Sequence, residues 1–165
     1  MRYSTTFREF LFCLLFVGLF CIPACNRQPL PNDLPKLYRR SVKVIQGGQP
    51  LADAVVFFAP TDNSKWNAGG STNSSGVAEL HTQGMYRGIA AGTYKVTVNK
   101  TECEDKVDPT RRNSEGGALT TTIFHSLVEL KYTDQNTTDL EVVITPKNEP
   151  IVLDLGSPVR QVLPE

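Results

Sequence analysis

Charge of one sign is the first thing this sequence lacks. Its 17 Lys and Arg meet 17 Asp and Glu, for a formal net charge of +0. The tight basic pairs, Arg39-Arg40 and Arg111-Arg112, fall far short of the basic stripe that a phosphate backbone requires, so no nucleic-acid partner is expected. Histidine is equally scarce: His81 and His125 are the only two. No Cys or His cluster stands near either one to complete a zinc site, so no metal is expected and both read as surface side chains. No Gly-x-Ser-x-Gly nucleophile elbow occurs, and no catalytic or cofactor-binding residue is assigned. A membrane-spanning run is missing too. The longest apolar stretch, residues 10–22 (FLFCLLFVGLFCI), has 13 residues, where a bilayer needs roughly 20. Beyond it there is no 3.6-residue periodicity, no internal repeat and no low-complexity tract.

What is present at the start has three zones: a positive end with Arg2 and Arg8, the apolar run, and the small residue Ala24 before Cys25. That is the layout of a secretory signal. A buried core helix would find nothing to pack beside, because Pro23, Pro29, Pro31 and Pro35 follow. Ordinary cleavage after Ala24 prefers a small residue two places earlier, and Ile22 is not small. The segment Ile22-Pro23-Ala24-Cys25 instead resembles a bacterial lipoprotein box. That resemblance implies a diacylglyceryl group on the Cys25 thiol, with residues 1–24 removed as the signal peptide. Such an anchor works additively, at ~0.8 kcal/mol per buried CH₂. Cys13 and Cys21 would leave with the leader, and a Cys25–Cys103 disulfide competes with lipidation for the remaining pair. That disulfide would only tie a Pro-rich tail to a charged loop. With Cys25 lipidated, Cys103 is a lone thiol whose neighbours Glu102, Glu104 and Asp105 disfavour a thiolate.

Residues 25–40 are polar and Pro-rich and read as an extended tether. From residue 41 short β-branched or aromatic runs begin, each bounded by Gly, Pro, Asn or Ser: 41–46, 54–59, 76–81, 93–99, 140–144 and 151–155. The run 54–59 (AVVFFA) is apolar on both faces, as in a centrally buried strand. Short strands without interleaved helices predict an all-β, antiparallel sandwich of about seven strands over residues 41–156, followed by a tail, 157–165. One helical turn is expected within 125–132. Residues 61–73 and 100–125 read as loops, the longer one mobile.

With the strands placed, three phrases stand out: Gly48-Gln49-Pro50-Leu51 leading into Ala54-Val55-Val56, Thr72-Asn73-Ser74-Ser75-Gly76, and Gly92-Thr93-Tyr94-Lys95-Val96. Together they resemble the transthyretin-like, or carboxypeptidase regulatory-like, β-sandwich, over roughly residues 41–156. The resemblance implies a Greek-key (prealbumin- or Ig-like) topology with the Tyr94 ring in the core. Some transthyretin-related proteins are hydrolases ending in Tyr-Arg-Gly-Ser. Here Tyr86-Arg87-Gly88 lies mid-chain, Ile89 replaces the serine, and the sequence ends PVRQVLPE.

The expected protein is therefore a non-enzymatic, extracytoplasmic module, tethered to a bacterial membrane by lipid on Cys25. It would bind an envelope protein or polysaccharide through loops or a strand edge. Trp66, Tyr86 and Arg87 are the candidate loop contacts. A solute-binding lipoprotein and a transthyretin-related hydrolase are the competing readings.

Overall fold

A computed structural model describes residues 30–163 apart from 63, 113, 115 and 148. The expected signal peptide and Cys25 lie outside the described residues. The chain divides into two units, 1–33 and 34–165, and the account that follows concerns the second.

Short strands open the unit: β1 (Leu37–Tyr38), β2 (Ser41–Gln46), β3 (Gln49–Pro50), β4 (Val55–Pro60) and β5 (Ala68–Ser71). Next come β6 (Val77–Glu79), β7 (His81–Thr82), β8 (Tyr86–Arg87), β9 (Ile89–Ala90) and β10 (Gly92–Asn99). The remainder are β11 (Thr101–Arg112), β12 (Ala118–Ser126), β13 (Glu141–Ile144), β14 (Ile151–Asp154) and β15 (Gln161–Val162). The expected helical turn is a 3-10 turn at Leu130–Tyr132. No helix among the described residues is long and apolar enough to cross a membrane.

Two sheets enclose the core. One runs β13-β10-β4-β5-β7-β8, every neighbour antiparallel. The other runs β14-β2-β3, with β6 also on β2, and its β14–β2 pair is parallel. Alternation dictates which side chains point inward. Val42 and Val44 of β2, Val56 and Phe58 of β4, and Val96 and Val98 of β10 are all at 0 % exposure and share one cluster with Leu153 and Leu155. Both sheets thus bury one face against each other, the arrangement of a β-sandwich. Tyr94 joins this core: its ring meets Phe58 edge-on at 6.0 Å, and its hydroxyl donates to Ala90 O at 3.0 Å. Burial, with the nearby charge of Asp62 adding, pushes the Tyr94 pKa up.

Turn chemistry matches the residues that direct it. Gly47 and Gly48 have φ of 58° and 76°, the left-handed pair that a tight two-residue β2–β3 reversal requires. Asn73 caps the next turn, its Oδ1 accepting from Ser75 N–H (2.9 Å) and Val77 N–H (3.1 Å). Thr72 stitches the same region together from inside. Its Oγ1 accepts from Ala54 N–H at 2.8 Å and donates to Leu51 O at 2.7 Å.

Four expectations change. Residues 100–125 are mostly a β-hairpin, not a loop: β11 and β12 pair from Thr101↔Ser126 to Asp108↔Leu119, with an irregularity before Arg112↔Ala118. The hydrophobic alternation that reveals half-buried strands is missing there because β11 is almost wholly exposed and β12 is buried only at His125 and Ser126, at its base. Residues 68–71, expected in a loop, form β5. A Cβ on Gly69 would meet Val56 O at 2.7 Å, and one on Gly70 would collide with Glu79 O, so the glycines that look like loop signals are what the close strand approach demands. The run 54–59 is buried on one face only, because Val55 and Phe57 remain 52 % and 38 % exposed. His125 is buried rather than on the surface.

Candidate binding edge

The two sheets leave one side of the sandwich open. There β13, the end strand of the first sheet, faces β14, the end strand of the second, and no further strand pairs with either outer edge among the described residues. Between them runs a groove of about 260 Å³, lined by Glu141 to Thr145 on one lip and by Pro150, Ile151 and Val152 on the other. Its composition follows from the pleat. Inward residues Ile144 and Leu153 belong to the core, while outward Val143 and Val152 stay 62 % and 55 % exposed.

Backbone groups on the β13 lip are directed outward by the same alternation. Leu140 O accepts Val96 N–H at 2.9 Å, so even-numbered residues there address β10, and Glu141 and Val143 turn their N–H and C=O groups away from it. On β14, Leu155 N–H donates to Ile45 O at 3.0 Å, which leaves Val152 addressing the groove side. Arg40 closes one end, donating to Thr145 O at 2.9 Å and to Lys147 O at 2.7 Å. The connection between the two lips is thereby held to the body. Glu141, Glu149, Lys147 and Arg40 bring both signs of charge to the rim, so the groove selects no ligand by net charge. An extended chain segment is the object whose shape and hydrogen-bonding period fit such a lip.

The residues singled out in the sequence are not gathered into this groove. Trp66 is only 8 % exposed, with Lys65 Nζ 4.9 Å above its ring, and so offers a ligand little of its aromatic face. Arg87 is exposed, but its NH2 donates to both carboxylate oxygens of Glu79, at 3.0 and 2.8 Å. Such an exposed pair adds little stability. Together with Arg39, Arg40 and Leu80 they line a depression of about 240 Å³, yet Glu79 offsets Arg87 and backbone carbonyls occupy Arg40. Tyr86 is half-buried beside them. A wider depression of about 740 Å³ lies over the outer face of the larger sheet, where Val55 and Phe57 stand beside Gly69, Gly70 and His81.

A polar cluster sits at the base of the hairpin. Buried His125 places Nε2 3.1 Å from Glu104 Oε2. Arg160 donates to the same carboxylate at 2.7 Å and to Glu102 at 3.3 Å. These hydrogen bonds, and the guanidinium charge behind them, hold the Glu104 pKa below the ordinary carboxylate range. Sequence reading missed this cluster because Arg160 lies in what looks like a plain tail. No local pattern marked it: Val159-Arg160-Gln161-Val162 does not alternate, and only the fold pairs β15 with β12, at His125↔Val162. Cys103 is exposed and cannot work with His125, since Cys103 pairs with Phe124 and therefore lies on the opposite face of the ribbon. Among the described residues no group of three His, Cys, Asp or Glu could hold a metal ion.

The architecture defines the class, an all-β sandwich whose strand pairs are antiparallel apart from β14–β2. No family model matches the chain, and no curated protein matches it. Among solved structures, a 9R-lipoxygenase from Cyanothece PCC8801 matches with 10 % identity and a TM-score of 0.29. That match covers 93 % of this chain and 20 % of the lipoxygenase, and similarity at that level carries no argument.

Proposed function

We propose that this chain is a lipid-anchored, non-enzymatic binding module of the bacterial envelope. In this reading it is a transthyretin-like sandwich that captures an extended segment of a partner protein by strand addition to β13. The observation that carries the binding role is the pair of open edges facing one groove, with Glu141 and Val143 directing backbone groups outward. The anchor rests on the lipoprotein box at Ile22 to Cys25 and on the Pro-rich stretch that follows. Backbone pairing supplies affinity, and the exposed Val143 and Val152 supply side-chain contacts. A protein partner is preferred to a polysaccharide because the groove is bounded by a strand edge rather than by exposed aromatic faces.

Two measurements test it. Cells expressing the full chain and fed a palmitate analogue should label wild type and not Cys25→Ser; an unlabelled wild type sinks the anchor. In affinity capture from detergent-solubilised envelope, Val143→Pro should hold the wild-type partner about tenfold less tightly, a loss of ~1.4 kcal/mol. Proline there removes a donor that faces away from β10, so the fold is retained. Equal capture by both proteins would rule out strand addition at β13.

A further inference from the structure

The β11–β12 hairpin has two outer edges of opposite character. Leu127 N–H donates to Lys100 O at 2.9 Å, so along β12 odd-numbered residues address β11 and even-numbered ones face away. Phe124 fits this rule, its carbonyl accepting Leu163 N–H at 2.9 Å. β15 pairs with β12 only at His125 and Ser126, so the outward backbone groups of Thr120 and Thr122 have no strand beside them among the described residues. The segment Leu119-Thr120-Thr121-Thr122-Ile123 is uncharged, β-branched at four of its five positions and free of proline, the composition of an edge that recruits another strand. β11 is protected instead. Its outward-facing Asp105 sits in a run, Glu102 to Asp108, in which five of seven residues are charged, a composition that blunts an edge against a new strand.

The same five residues are chemically symmetric about Thr121. An antiparallel two-fold pairing sets Leu119 against Ile123 of the other copy, and Thr120 against Thr122. Both residues of each Thr120:Thr122 pair direct their N–H and C=O outward, so the hydrogen-bonding phase agrees with the side-chain match. The two charged β11 strands then lie outermost, still in water, and no charge is buried at the seam. The charges along β11 disfavour further pairing there, so the contact is an isologous one between two copies.

From this register we propose that β12 is a self-association edge, pairing with β12 of a second copy of the chain through residues 119–123. The contact is independent of the β13 groove. A ladder this short is weak in dilute solution, and tethering to a surface raises the effective concentration that favours it.

Covalent trapping tests the register. In the full chain purified in detergent, a Cys103→Ser background removes the exposed hairpin thiol. Thr121→Cys then brings two thiols together in a non-hydrogen-bonded pair about 4.5 Å apart at Cα. Under copper phenanthroline this variant should yield about tenfold more disulfide dimer than the Cys103→Ser parent. Lys106→Cys in the same background should stay at the parent level, since its copies are three strand spacings apart, about 14 Å. Adding Thr120→Pro, which removes an outward donor while leaving the β11 ladder intact, should cut the Thr121→Cys dimer about tenfold. Three results would each overturn the proposal: Thr121→Cys no better than the parent, Lys106→Cys equally linked, or a dimer indifferent to Thr120→Pro. Linkage of Thr121→Cys to a different envelope protein in place of its own copy also counts against it.

Discussion

Strands β4 and β10 in the body and strands β11 and β12 in the hairpin satisfy their backbones in the same way but differ in what their side chains do. Along β4, Val56 and Phe58 vanish from solvent and hold two sheets together. Along β11, Cys103, Glu104, Asp105 and Lys106 are all exposed, and across the ribbon so is Phe124. Regular pairing therefore marks order in both regions but stability in only one. In the body each inward side chain leaves water, worth about 1.5–3 kcal/mol for a large apolar group. In the hairpin the backbone ladder forms with little burial to reinforce it, and a two-stranded ribbon alone is marginal in water. The cluster of His125, Glu104, Arg160 and Glu102 is what fastens its base.

Truncating a body side chain should have the largest effect. Phe58→Ala removes a fully buried ring in contact with Tyr94 and should cost about 3–5 kcal/mol in urea unfolding. A loss below about 1 kcal/mol would mean the core is not where stability resides. Shortening the ribbon should do far less. Lys106 and Thr121 face each other across it, so residues 107–120 can be replaced by Asn-Gly, a two-residue hairpin turn. Unfolding free energy should then stay within about 1 kcal/mol of wild type, because no described residue of the removed segment is buried. Collapse of the shortened protein would abolish the contrast between the regions.

Smallest is a pH effect confined to the hairpin base. The Glu104 pKa is lowered in the folded protein from an ordinary 4.5, so its ionised form is favoured by folding. That contribution is complete above the unfolded value and is lost as pH falls through the lower folded one. Amide exchange at Leu163, whose N–H donates to Phe124 O beside Arg160, should accelerate as pH drops below that range, relative to the intrinsic rate. Exchange at Val96 in the body should not. Equal acceleration at both sites would show that the base of the hairpin is not a separate electrostatic unit.

Much of the body was legible residue by residue. Val42, Val44, Tyr94, Val96 and Val98 alternate with polar neighbours, and Gly-Gly and Asn-Ser-Ser-Gly mark reversals the backbone makes. Less of the candidate site was visible. The β13 and β14 runs could be read as strands, but that they end their respective sheets and face each other cannot be seen in a local pattern. β5 was hidden by its glycines, and the hairpin by its lack of an apolar face. The Arg160 link joins positions far apart in the chain, which no spacing rule reaches.

By itself the sequence determined that the body would be all β, where several of its turns would fall, and which face of β2 and β10 would be apolar. Those properties follow from side-chain shape and the two-residue pleat, which act locally. Tertiary structure alone decided that β14 runs parallel to β2, that β13 and β14 end their sheets among the described residues, and that the tail docks on the hairpin. Alternation specifies inside against outside, but neighbour choice depends on which long loops can close and which buried surfaces then match.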